Sequence, residues 1–109
     1  MVRRAGVAAA RLRLLDAADG VRNFVAFDGG DPVACASLVL AAGVAGLYNV
    51  GVVPERRRQG VGAATTAALM AEGGARGAET AVLWSSAAGV RCYCRLGFEE
   101  RCRLTLYAR

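Results

Sequence analysis

Arg57-Arg58-Gln59-Gly60-Val61-Gly62 follows a valine-rich run that stops at Pro54, and it opens an alanine-rich run. The first run reads as a strand and the second as a helix, so the stretch between them is a strand-to-helix turn. A turn of this kind aims several backbone N–H groups at one spot, where they add to the positive end of the helix dipole and form a seat for phosphate. Thirty-one residues past Gly62, Tyr93-Cys94-Arg95-Leu96-Gly97-Phe98 closes a second helical run. Gly97 suits the left-handed position after a helix, and Phe98 can pack back on the last turn.

Upstream of the turn the period is that of strands. Residues 21–27 and 33–40 are β-leaning runs joined by Asp28-Gly29-Gly30-Asp31-Pro32, which is hairpin chemistry because glycine supplies positive φ. A glycine-bearing connection over residues 41–46 leads to a third run, 47–53. The expectation is a three-strand antiparallel meander. Gly51 inside the third strand predicts a bulge or a close approach to the backbone there.

Downstream, a helix is expected over residues 60–76 with Gly77 as its left-handed cap. Gly73-Gly74 costs about 1 kcal/mol each relative to alanine, which predicts a frayed last turn. Residues 81–84 form a short apolar strand bounded by Ser85-Ser86, parallel to the third meander strand by the right-handed crossover rule. A helix over 89–96 and a closing strand over 104–107 complete the chain. Residues 7–16 carry alanine, leucine and arginine at positions that suit a short helix, with Gly20 as its stop. The fold class is α+β with a mixed sheet, in a single domain over residues 1–109.

The 109 residues, 55% of them hydrophobic, bury one core and no more. All 14 basic residues are arginine and histidine is absent, a bias that fits a high-GC bacterial genome better than selection for nucleic-acid binding. The net charge of +5 is scattered along the chain, as on a solvated surface. Cys35, Cys92, Cys94 and Cys102 lack the paired spacing of a structural zinc site, so no metal is expected and the thiols read as buried or idle in a reducing cytoplasm. The arginines at 11 and 13 interrupt the early apolar stretch too soon for a secretory signal. No run reaches membrane-spanning length.

The R-x-x-G-x-G turn, the preceding proline and the later Tyr93 to Phe98 segment, in this order, resemble the GNAT superfamily of acetyl-CoA-dependent N-acetyltransferases. The resemblance covers residues 21–109, with residues 1–20 poorly matched. It implies a partial GNAT fold: meander, helix, parallel strand, helix, terminal strand. It further implies acetyl-CoA as cosubstrate, held by the bulged strand at Val50, Gly51 and Val52, by Pro54, and by the turn Arg57, Arg58, Gln59, Gly60, Val61 and Gly62. Tyr93 stands at the place of the family's general acid, and Ser86 where many relatives have a cofactor-facing asparagine.

The chemistry agrees with those residue types. Charge-assisted hydrogen bonds from the turn contribute roughly 1.5 to 3 kcal/mol each, so three supply about half of the ~8 kcal/mol of micromolar affinity. The rest is expected from a pantetheine arm bonded along Val50-Gly51-Val52. A phenol with a pKa near 10 keeps its proton at neutral pH and can give it to a departing thiolate. No base is legible. The implied acceptor is a primary amine of a small molecule or a protein, attacked directly without a cysteine intermediate.

The resemblance places a first strand and two helices ahead of the meander, and only residues 7–16 could stand in for them. A homodimer or a tandem partner domain is one expected cover for the sheet left bare; the alternative to an enzyme is a non-catalytic or truncated module binding acyl-CoA or a partner subunit. A Rossmann domain ranks lower, because the glycine turn follows an antiparallel meander.

Overall fold

The computed structural model of the chain describes residues 11–18, 20–105 and 107. Five strands form one sheet in chain order: β1 (Arg11–Ala18), β2 (Val21–Asp28), β3 (Asp31–Ala41), β4 (Val44–Val52) and β5 (Thr80–Leu83). The first four are antiparallel neighbours, and β5 joins β4 in parallel. Helix α1 (Val61–Ala75) makes the crossover from β4 to β5, and α2 (Val90–Arg95) follows β5 after a single 3-10 turn. The mixed α+β sheet is the one that the strand-helix-strand order predicts. No described helix is long and apolar enough to cross a membrane.

Both ends depart from expectation. Residues 11–16, expected in a helix, lie in β1: Leu12 and Leu14 pair with Ala26 and Phe24, while Arg11 and Arg13 alternate with them toward the other face. Pairing with an apolar neighbour overrides the helix propensity of alanine, leucine and arginine. The meander therefore has four strands, and Ala18 opposite Val21 leaves only a two-residue connection into β2. Residues 7–10 of the expected helix lie outside the described residues. At the other end, residues 104, 105 and 107 have no regular secondary structure and are exposed, so the expected closing strand is not formed by them. No neighbouring strand pairs with them, and β propensity alone does not hold a strand in water.

One face of the sheet holds the core. Phe24 and Ala26 of β2, Ala34, Ala36 and Leu38 of β3, and Ala45 and Leu47 of β4 are buried against Val61 and Leu69 of α1. The alanines let the helix come close. At Gly73 the approach is closest, since a Cβ there would stand 2.8 Å from that of Ala45. The helix end is not frayed: Ala78 N–H donates to Gly73 O at 3.0 Å and Gly77 N–H to Gly74 O at 3.0 Å, a Schellman closure with Gly77 at φ +94. Gly73→Ala is expected to destabilise by about 1–3 kcal/mol through overpacking, despite its gain in helix propensity. Gly74→Ala, with nothing within 4 Å, is expected to stabilise by roughly 0.5–1 kcal/mol. Thermal unfolding of the two variants reads the difference, and shifts of the same sign would remove the close contact from the account.

The opposite face is bare by comparison. Val25, Phe27, Val39, Tyr48 and Val82 alternate with the core positions, and none of them is buried. Trp84, whose apolar bulk would suit a core, is 70% exposed just past β5. Of the two readings of the cysteines, buried or idle, burial does not hold: Cys35, Cys94 and Cys102 are exposed and Cys92 is half-buried, all four as free thiols.

Candidate functional site

The pairing of β4 with β5 runs from Val44 opposite Thr80 to Leu47 opposite Leu83 and stops there, although β4 continues to Val52. Over the same stretch β4 gains one residue against β3: Ser37 pairs with Tyr48 and Cys35 with Gly51, so Asn49 and Val50 together oppose Ala36. Asn49 takes φ +55. The bulge expected at Gly51 thus sits two residues earlier, at an asparagine, the side chain that tolerates the left-handed region best after glycine. Gly51 itself is back in register. A bulge bends its strand and strengthens its twist, and here β4 turns away from β5.

The gap between the two strands is a cleft of about 220 Å³ lined by Leu47, Asn49, Val50, Leu83, Trp84, Ser86, Gly89 and Tyr93. Three residues singled out in the sequence, Val50, Ser86 and Tyr93, meet in it. Gly51 and Val52 do not line it but carry β4 from the cleft to the turn. Asn49, Trp84 and Gly89 were missed. Asn49 ahead of a glycine-bearing strand end carried a usable signal for a left-handed residue, whereas nothing local marks Trp84.

Tyr93 is held by the residues after it. Gly97 at φ +100 lets Gly97 N–H donate to Cys94 O and Phe98 N–H to Tyr93 O, both at 3.1 Å, so α2 ends in a second Schellman closure. The Phe98 ring meets that of Tyr93 edge to face, with centroids 6.1 Å apart at 78°, and it also packs on the core cluster to which Leu69 and Leu47 belong. The phenol is half-buried. Burial pushes its pKa above the ordinary value, Cys92 adds to the rise, and the nearby Thr66 hydroxyl opposes it. Thr66 in turn donates to Gly62 O at 2.8 Å, which ties the neighbourhood of Tyr93 to the first turn of α1.

That first turn is the other half of the site. After Pro54–Arg56, a 3-10 turn, Arg58 takes φ +62 and Gly60 φ +82. The first helical bond runs from Ala64 N–H to Gly60 O at 3.0 Å. Among the described residues, the amides from Arg58 to Ala63 have no backbone acceptor, and no side chain caps α1. Left-handed residues in a turn bring successive N–H groups to one side, a geometry that suits an anion. The side chains brace it: Arg56 pairs with the Asp28 carboxylate, Arg57 Nε donates to Val52 O at 3.3 Å, and Gln59 Nε2 donates to Glu55 O at 3.2 Å. Val61 is buried in the core, while a Cβ on Gly62 would lie 3.7 Å from Val52. The whole predicted stretch from Arg57 to Gly62 is therefore one braced corner between the turn at Pro54–Arg56 and α1. Among the described residues, no three of His, Cys, Asp and Glu stand together as metal ligands.

Comparison with known proteins gives the same assignment from outside the molecule. The family described as Acetyltransferase (GNAT) domain matches residues 19–100. Among solved structures, an acetyltransferase of Trypanosoma brucei is 26% identical with a TM-score of 0.69, covering 83% of this chain and 70% of its own. AAC(6')-Iy, solved with the bisubstrate analogue CoA-S-monomethyl-acetylneamine, is 25% identical with a TM-score of 0.69, covering 84% and 71%. The ribosomal-protein-S18-alanine N-acetyltransferase of Escherichia coli is 32% identical with a TM-score of 0.69, and this chain spans 57% of its length with 79% of its own. No curated protein matches in sequence.

Proposed function

The chain belongs to the GNAT acetyltransferase family, and from that premise we propose that it moves an acetyl group from acetyl-CoA to a primary amine by direct attack. One observation carries the reading: β4 leads through the turn at Pro54–Arg56 to the acceptor-free amides that open α1, and its pairing with β5 stops beside a phenol. An anion seat and a proton donor thus flank one strand edge. Acetyl-CoA is built in the same order, with its pyrophosphate, amide-bearing arm and thioester.

In this reading the amides of Arg58 to Gly62 hold the pyrophosphate, with the exposed Arg57 and Arg58 side chains adding positive field. Val50, Gly51 and Val52 offer the strand edge to the arm, and Ser86 contributes one hydrogen bond. The amine nitrogen bonds to the acetyl carbon as the carbon–sulfur bond breaks, and the electron pair goes to sulfur. Tyr93 gives that sulfur its proton and regains one from solvent. The nitrogen's surplus proton leaves to water, because neither histidine nor a carboxylate is among the residues lining the cleft.

That lining favours one class of acceptor over another. An α-amine near pKa 8 presents far more free base at neutral pH than a lysine amine near 10.4. A peptide N-terminus is therefore the preferred acceptor over a lysine side chain, and the name of the 32%-identical relative points the same way. Thiol release from acetyl-CoA, followed against a panel of α-amine peptides and alkylamines, is expected with the former and slow with the latter. Release with none of them, together with no binding of CoA, would end the transferase reading.

A second reading has its own observation. Among the described residues, the face opposite α1 has no buried large apolar side chain, which suits a module whose homodimer or tandem partner covers that surface while it binds acyl-CoA without chemistry. A monodisperse monomer by light scattering, with thiol release, decides against it. We assign the protein to the bacterial cytoplasm, on its lysine-free, arginine-rich composition and four free thiols, with neither nucleic acid nor membrane as partner.

A further inference from the structure

We propose that Cys35 is a positioning residue for the cosubstrate: from β3, its thiol pins the bulge that turns β4 away from β5. The proposal rests on the acetyl-CoA reading above. A bulge leaves its extra residue outside the ladder, so the carbonyl at that point lacks a strand partner. Asn49 is one of the two residues that oppose Ala36, and the group of interest is its carbonyl. Cys35 Sγ–H donates to it at 3.6 Å, and the same sulfur would lie 3.5 Å from a Cβ on Gly51. One side chain therefore touches both ends of the irregular stretch, the left-handed Asn49 and the residue where register returns.

The thiol does not line the cleft, so it acts through β4 and never on the thioester. Its task is to fix the Asn49 peptide, and with it the direction of the edge groups at Val50, Gly51 and Val52 that receive the pantetheine arm. The seat for phosphate lies beyond Val53, braced by its own side-chain bonds. The thiol should therefore tune binding of the arm and leave binding of the nucleotide end alone.

Titration calorimetry with CoA and with 3′,5′-ADP, which has no arm, separates these roles in the full chain. Cys35→Val removes the donor and is expected to weaken CoA about two- to fivefold, the worth of a weak neutral hydrogen bond. Cys35→Ser keeps a donor and should match the unmutated protein, and 3′,5′-ADP should bind all three alike. Equal CoA affinity in the Ser and Val variants, or equal losses for CoA and 3′,5′-ADP, overturns the proposal. If the unmutated protein binds neither ligand, the acetyl-CoA reading fails on its own account. Amide exchange at Val50 and Gly51 in the free protein then decides the pin: faster in Val but not in Ser sustains it, and unchanged rates dismiss it.

Discussion

Tyr93→Phe lowers turnover about 10²-fold or more, the lower range of what a positioned proton donor contributes, while CoA affinity stays the same. The substitution is a clean probe because the ring does the structural work. Its edge contact with Phe98 and the Schellman closure at Gly97 are both kept when only the hydroxyl goes. The pH dependence adds a second readout. Burial first, then Cys92, hold the phenol's pKa above its usual value against the opposing influence of Thr66, so the proton needed for donation is present throughout the neutral range. Activity assigned to that proton falls only as pH rises past the raised value, and this alkaline limb is absent in the phenylalanine variant. The same shift has a stability sign: its contribution is full below the unfolded phenol's pKa near 10 and is lost as pH climbs through the folded one. Thiol release under saturating acetyl-CoA from neutral to strongly alkaline pH reads both effects. Unchanged turnover in the variant removes Tyr93 from the mechanism.

The parts of this fold that were legible in the sequence are those written in local chemistry. Gly29 and Gly30 between two apolar runs specify a hairpin, and Asp28 pairs with Asp31 across it. Arg57 to Gly62 specifies a strand-to-helix corner, and Leu96-Gly97-Phe98 specifies a helix end with a ring folded back on Tyr93. What could not be read depends on neighbours distant in the chain. Arg11 to Asp16 has the composition of a helix, and only β2 beside it makes it a strand. Gly73 looks like a helix weakness until Ala45 is set against it, when it becomes the closest point of helix–sheet packing. Glycine, the usual marker of a bulge, points to Gly51. The count of residues between Cys35 and Ser37, against that between Tyr48 and Gly51, moves it to Asn49. Trp84 is the sharpest case, since apolar bulk predicts burial and position alone puts it at the mouth of the cleft.

Those distant contacts also join the two halves of the site. β4 carries the bulge, the cleft wall and the approach to the anion seat within a few residues, so an error in its register would displace all three together. Thr66 reinforces the link, because it meets the phenol of Tyr93 and bonds Gly62 at the helix start. A change at the corner should consequently be felt first by the phosphate end of the cosubstrate.

Gly60→Val tests that end. Gly60 sits at φ +82 directly before α1, a conformation costing an L-residue roughly 1–2 kcal/mol and a β-branched one more. The strain can be relieved only by turning the peptides on either side, which carry the amides of the seat. With one charge-assisted hydrogen bond lost, at about 1.5–3 kcal/mol, CoA affinity is expected to fall roughly 10- to 150-fold. Pantetheine, which has no pyrophosphate, should bind as before, because Val50 to Val52 lie outside the altered turn. The helix itself should survive, since Val61 and Leu69 remain buried in the core, and far-ultraviolet circular dichroism checks this. Equal losses for CoA and pantetheine would mean that the corner supports the cleft mechanically. An unchanged CoA affinity would mean that its amides face no diphosphate, and the seat would have to be sought elsewhere on the molecule.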